Sequence, residues 1–165
     1  MAPPKKIRVL VADDEESVLR CYLRAFSAYQ ERQRPSELAD LDARLFSTVA
    51  MQTGTGVAFD VIGCSQGNDA VALVREAQAA ADTFDVVILD IRMPPGIDGV
   101  EAGESIRALD PEALLIIATG FSDVPEEEIV RRLPPKSKLV YLTKPLSFNK
   151  LVLDIIGRLN HAAGQ

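Results

Sequence analysis

The sequence predicts an α/β domain: a parallel sheet with helices on both faces. Three observations carry this expectation. Five short runs rich in Val, Ile and Leu punctuate the chain, and several are nearly continuous rather than alternating, as suits strands buried on both faces. Stretches of helical period lie between them. Strand and helix therefore alternate five times along the chain.

The first strand is expected at residues 7–12, from Ile7 through Val9, Leu10 and Val11 to Ala12. A helix over 17–29 follows, with Val18, Cys21, Tyr22, Ala25 and Phe26 on one side. Strands at 57–62 and 84–89 bracket a helix over 68–81 carrying Val71, Val74 and Ala77. A helix over 100–109, with Gly103, Ile106 and Leu109 aligned, leads to a strand at 114–118. A short helix at 126–133, a strand at 139–142 and a helix over 147–159 with Leu151, Ile155 and Leu159 complete the alternation. One segment breaks the rhythm. Residues 30–56 far exceed the few residues that usually join a helix to the next strand. Within them Leu38, Leu41, Leu45 and Val49 fall at helical spacing after Pro35-Ser36, which predicts an extra amphipathic helix over about 36–51 capped by Ser36. Its apolar stripe must be buried against something, so the segment is a candidate docking or dimerisation element, unless it packs on the domain's own first helix. Thr53-Gly54-Thr55-Gly56 lacks the Gly-Lys-Ser/Thr ending of a phosphate loop and reads as a turn.

Composition bounds the function. With 165 residues, 47% apolar and 25% charged, the chain fits one soluble globular domain. It holds no apolar run approaching the roughly 20 residues of a membrane helix, and its short basic start does not resemble a signal peptide, so a cytoplasmic setting is expected. Cys21 and Cys64 form no disulfide framework. A net charge of −6, with 18 scattered basic residues, argues against a nucleic-acid surface. His161, near the C-terminus, reads as neither a phosphodonor nor a metal ligand.

The chemistry lies where the strands end. In an open parallel sheet, ligands bind beyond the carboxyl ends of the strands. The first strand runs into Asp13-Asp14, the third into Asp90, the fourth into Thr119, and Lys144-Pro145 follows the fifth. Each has a plain structural reading when taken singly; the acids of Asp13-Asp14-Glu15-Glu16, for instance, suit a helix N-terminus. Together they place three acids, a hydroxyl and an ammonium on one rim. Neighbouring carboxylates repel unless a cation sits among them, so the rim should bind a divalent metal. An aspartate there can act as a nucleophile toward phosphorus, with metal, Lys144 and Thr119 neutralising the transferring oxygens.

The residues Val11-Ala12-Asp13-Asp14-Glu15, Leu89-Asp90-Ile91-Arg92-Met93-Pro94, Asp98-Gly99, Ala118-Thr119-Gly120 and Tyr141-Leu142-Thr143-Lys144-Pro145 closely resemble response-regulator receiver domains, over nearly the whole chain except residues 30–56. The resemblance implies a flavodoxin-like, doubly wound sheet in the order 2-1-3-4-5 and a single receiver domain over residues 1–165, with no room for an output domain. It implies Asp90 as phosphoacceptor, with Asp14, Asp90 and the Arg92 backbone carbonyl as direct Mg²⁺ ligands and Asp13 acting through metal-bound water. Thr119 and Lys144 would contact the phosphoryl group, and Tyr141 would swing inward as Thr119 is drawn to it. Arg92 and Phe121, flanking the site, would tune the phosphoryl lifetime. The Lys144–Pro145 bond would be cis. The implied partner is a sensor histidine kinase or a histidine phosphotransfer protein, with a homodimer a further possibility, and no organic cofactor is implied. Such a domain catalyses its own modification without being a turnover enzyme. Two departures stand out: the inserted segment, and Met93-Pro94-Pro95-Gly96-Ile97-Asp98-Gly99, one residue longer than the common form. Two alternatives stay open. One is a receiver-like interaction module that does not use phosphorylation, which would fail to bind beryllofluoride. The other is a haloacid-dehalogenase-type phosphatase, which wants Asp-x-Asp where this chain has an adjacent pair, and which would turn over a phosphomonoester.

Overall fold

The computed structural model describes residues 5–33, 57–120 and 124–162. The helix expected over about 36–51, and Phe121, lie outside the described residues. Five parallel strands form one sheet in the order β2-β1-β3-β4-β5. They are β1 (Lys5–Ala12), β2 (Val57–Cys64), β3 (Val86–Asp90), β4 (Leu114–Thr119) and β5 (Leu139–Thr143). Between and after them come α1 (Glu16–Gln33), α2 (Gly67–Ala79), α3 (Gly99–Leu109), α4 (Glu126–Arg132) and α5 (Phe148–Ala162). This is the order and composition the sequence implied.

The two-residue period of a strand sorts the core into two layers. Ile7, Val9 and Val11 of β1, Val86 and Ile88 of β3, and Leu114 and Ile116 of β4 pack against Tyr22 and Phe26 of α1 and Leu151, Val152 and Ile155 of α5. The intervening residues Leu10, Val87, Leu89, Leu115 and Ile117 face the other way, onto Val74 of α2, Val100 and Ile106 of α3 and Ile129 of α4. Every residue of β3 and β4 is buried, which is why their sequences are apolar without alternation. Each fully buried Val, Leu or Ile contributes about 1.5–3 kcal/mol.

Several boundaries differ from expectation. Helix α1 runs four residues beyond its expected end, so residues 30–33 belong to it and not to the inserted segment. Gln30 is held there by a bond from its Nε2 to the Phe59 carbonyl, 3.2 Å. Strand β2 continues to Cys64 because Gly63 and Cys64 pair with Val11 and Ala12 of the central strand. Phe84 precedes β3; it is buried beneath the Arg8 guanidinium, 4.5 Å from its ring centre. Helix α2 stops at Ala79, and the chain reverses through Ala81 at φ 54°, a left-handed conformation unusual for alanine. Among the described residues no helix is long and apolar enough to cross a membrane.

Candidate functional site

The register of the sheet brings the strand ends to one edge. Ala12 lies opposite Leu89, Asp90 opposite Ala118, and Thr119 opposite Thr143. Asp13 and Asp14 therefore leave β1 beside Asp90 at the end of β3, with Thr119 closing β4 and Lys144 following β5. The edge is locked by short backbone bonds: Asp13 N to Cys64 O at 3.1 Å and Lys144 N to Thr119 O at 2.7 Å. The Asp13 side chain accepts the Glu15 amide at 3.0 Å, which turns the chain into α1.

The acidic residues differ in exposure. Asp13, Asp90 and Thr119 are 2%, 7% and 2% exposed, whereas Asp14 is open to solvent. Lys144 Nζ sits between the two buried carboxylates, 2.6 Å from Asp13 Oδ2 and 3.1 Å from Asp90 Oδ1. The other oxygen of Asp90 accepts the Arg92 amide at 3.1 Å. Burial pushes the Asp90 carboxyl above its usual range, even though the Lys144 charge and hydrogen bond pull the other way. Burial also works against the Lys144 ammonium, but its bond to Asp13 and the charges of Asp13 and Asp90 outweigh that and hold it above the usual lysine range. These residues, with Arg92 and Pro94, line a cavity of about 420 Å³.

The carboxylate oxygens of Asp13, Asp14 and Asp90 lie within 4.8 Å of one another. Opposite ligands of an octahedral Mg²⁺ stand roughly 4.2 Å apart, so this cluster fits a hard divalent cation with small adjustment. The donor set is all oxygen, which suits Mg²⁺ or Ca²⁺ and not a thiolate-preferring metal. Just inside, the Tyr22 hydroxyl is buried without a hydrogen-bond partner among the described residues, and burial together with the charges of Asp13 and Asp90 pushes its pKa up.

Most of the residues expected at the site converge there: Asp13, Asp14, Asp90, Thr119, Lys144 and Arg92 all border the cavity. Tyr141 lies on β5 and is half-buried, packed against the α2–α3–α4 layer. The Lys144–Pro145 bond is cis, as the resemblance implied. Two features were not foreseen. Gly99 lets α3 start directly against the end of β3: a Cβ there would stand 2.0 Å from the Asp90 carbonyl oxygen. Its amide bonds Ile91 O at 2.9 Å, and Asp98 caps the helix through both amides that follow Gly99. The second is Gln66, whose side-chain amide bonds Pro94 O at 3.0 Å and the Gly96 amide at 3.2 Å. The Asp-Gly pair in the sequence signals the first; no local signal marks the second.

Comparisons with known proteins agree with this geometry. A family profile described as the response regulator receiver domain matches residues 39–156, most of the chain. The transcriptional regulatory protein ZraR of Salmonella typhimurium is 38% identical over 106 residues, which is 64% of this chain and 22% of that protein. A CheY-like receiver domain from Methanospirillum hungatei superposes with a TM-score of 0.65 at 16% identity, covering 95% of this chain and 96% of that one. The CheX-CheY-BeF3-Mg complex from Borrelia burgdorferi gives 0.60 at 19% identity, covering 92% and 87%. These structures share the fold. The profile match begins after Asp13 and Asp14, so it is the sheet register that joins the acidic pair to the rest of the site.

Proposed function

The chain belongs to the response regulator receiver domains of two-component systems, and from that premise we propose that it is a phosphorylation-dependent switch that accepts a phosphoryl group on Asp90. The observation that carries the reading is the placement of Lys144 between Asp13 and Asp90, with three carboxylates within 4.8 Å beside a cavity roomy enough for a phosphoryl group.

A carboxylate oxygen of Asp90 attacks the phosphorus of a phosphohistidine on a sensor kinase or phosphotransfer protein. The P–O bond forms as the P–N bond breaks, and the departing imidazole takes a proton from solvent. Lys144 shifts from offsetting two carboxylates to balancing the phosphoryl oxygens, and the Thr119 hydroxyl donates to one of them. Asp14, Asp90 and the Arg92 carbonyl, with Asp13 through water, would hold Mg²⁺, which supplies the charge neutralisation that lets an anionic donor approach. Water later attacks the phosphorus, freeing inorganic phosphate and restoring the Asp90 carboxylate. The chain is thus modified and reset without turning over a metabolite. Movement of Thr119 toward the phosphoryl group draws Tyr141 inward, and Arg92 with Phe121 sets how readily water reaches the bond. The inserted segment that follows α1, residues 34–56, serves docking or dimerisation. The chain spans 22% of the length of ZraR.

Acetyl phosphate with Mg²⁺ should add one phosphoryl mass to the intact chain, labile to alkali. Asp90→Asn should abolish the label and a chelator should suppress it. Equal labelling of Asp90→Asn overturns the reading, and steady release of product from a phosphomonoester would favour a phosphatase instead.

A further inference from the structure

We infer that Gln66 is a positioning residue for the phosphoryl site, its side-chain amide clamping the 94–96 turn at the rim of the Asp90 cavity. The inference rests on the function proposed for Asp90. Gln66 occupies the N-cap position of α2 in extended conformation (φ −137°, ψ 146°), yet its side chain makes no capping bond. A Ser, Thr, Asp or Asn there would turn back onto the helix. The longer glutamine reaches outward and spends both halves of its amide on one target: Nε2 donates to Pro94 O at 3.0 Å, and Oε1 accepts the Gly96 amide at 3.2 Å.

The surfaces on either side are cut to permit this approach. A Cβ on Gly67 would stand 2.8 Å from the Ile97 carbonyl oxygen, and one on Gly96 would stand 3.0 Å from Gln66 Oε1. The connection between β3 and α3 is tied at its start by the Arg92 amide on Asp90, 3.1 Å, and near its end by the Gly99 amide on Ile91, 2.9 Å. Between those ties runs the turn that carries one residue more than the common form. Pro94 within it is a wall of the cavity. Gln66 is a third tie in the middle of the span, and it takes up the slack that the extra residue introduces. With the tie in place, Pro94 shields the acyl phosphate from water, and the backbone at Arg92 keeps its carbonyl where a metal would meet it.

Releasing the clamp forfeits two hydrogen bonds on an exposed turn, so Gln66→Ala should shorten the phosphoryl lifetime about threefold and weaken Mg²⁺ binding by a similar factor. The full chain is labelled with acetyl phosphate, decay is followed by intact mass, and Mg²⁺ affinity is read from amide shifts in ¹H–¹⁵N spectra. The Gly96 amide should lose its hydrogen-bonded shift in Gln66→Ala while sheet resonances and thermal midpoint hold. Gly96→Ala, whose methyl group would press to 3.0 Å from Gln66 Oε1 and loosen the clamp from the other side, should shorten the lifetime in the same direction, and the double variant should be no shorter than Gln66→Ala alone. Unchanged decay and Mg²⁺ affinity despite a shifted Gly96 amide would overturn the inference, as would additive effects in the double variant. If the native chain takes no label at all, the reading of Asp90 fails; the clamp is then judged by Mg²⁺ affinity, and equal affinities in Gln66→Ala and the native chain overturn it.

Discussion

Replacing Asp90 with Asn should make the metal-free protein more stable while removing its chemistry. The magnitude follows from the distances. The carboxylate oxygens lie within 4.8 Å of one another, and at that outer limit a pair of unit charges repels by about 3.5 kcal/mol at an effective dielectric of about 20. Asp90 has two such neighbours, Asp13 and Asp14, so its charge meets about 7 kcal/mol of repulsion. Against this stands one attraction, to Lys144 at 3.1 Å, of about 5 kcal/mol at the same dielectric. The difference, about 2 kcal/mol, shrinks to about 1 kcal/mol once solvent at the exposed Asp14 screens its share. Burial is the first cause of the Asp90 carboxyl being held above its usual range, with the Asp13 charge adding to it against the pull of Lys144, and an uncharged asparagine escapes that burial penalty as well. Asparagine keeps an oxygen for the Arg92 amide and removes the charge. Urea and thermal unfolding in chelator should therefore show Asp90→Asn about 1 kcal/mol more stable, with a midpoint roughly 3 °C higher for a chain of this size. Adding Mg²⁺ should raise the native protein more than the variant and narrow the gap. A variant less stable than the native chain in chelator would refute the reasoning, because it would make Asp90 a net contributor to the fold.

Three further outcomes are expected. Gly99→Ala forces a methyl group to within 2.0 Å of the Asp90 carbonyl oxygen, so urea unfolding should show a loss of about 3 kcal/mol; an unchanged midpoint would mean that α3 can shift freely. Arg132→Ala removes a two-bond pair with Glu104, both bonds 2.7 Å, worth about 0.5 kcal/mol for partners this exposed. Arg132 holds the Glu104 carboxyl below its usual range, so the contribution is present above the unfolded pKa near about 4.3 and lost as pH falls through the folded one. Native and variant stabilities should converge below that range, and a gap that persists in acid would contradict the pairing. Arg92→Ala strips bulk and charge from the cavity wall and should speed decay of the phosphorylated protein several-fold; an unchanged lifetime would take this side chain out of the account.

What the sequence disclosed, and what it did not, divides along physical lines. Strands buried on both faces carry their signal in every residue, and β3 and β4 could be read directly. The site was legible because its members sit at strand ends, where position along the chain translates into position on the sheet edge. The last turn of α1, Gln30-Glu31-Arg32-Gln33, escaped because its residues are polar and carry no apolar period. Phe84 looked like the first residue of β3 because an aromatic beside Val86 and Val87 suits a strand; it lies before the strand and is buried in the core layer of α2, α3 and α4, with the Arg8 guanidinium over its ring. Gln66 could not be read at all. A polar residue before a helix suggests a cap, and only the approach of a turn 28 residues away determines that its amide points elsewhere.

The bond from Lys144 to Asp13 joins residues 131 apart in sequence. The acids of β1 are made early in synthesis, and the lysine that offsets them arrives only with the end of the last strand. A nascent chain that has folded through β4 would already gather Asp13, Asp14 and Asp90 on one edge, with β5 absent and its place beside β4 open. Mutual repulsion would loosen that edge until β5 docks, and docking brings Lys144 into place as it completes the sheet. On the proposed function, competence to receive a phosphoryl group would thus come last, and a chain released before β5 would carry Asp90 yet lack the ammonium beside it.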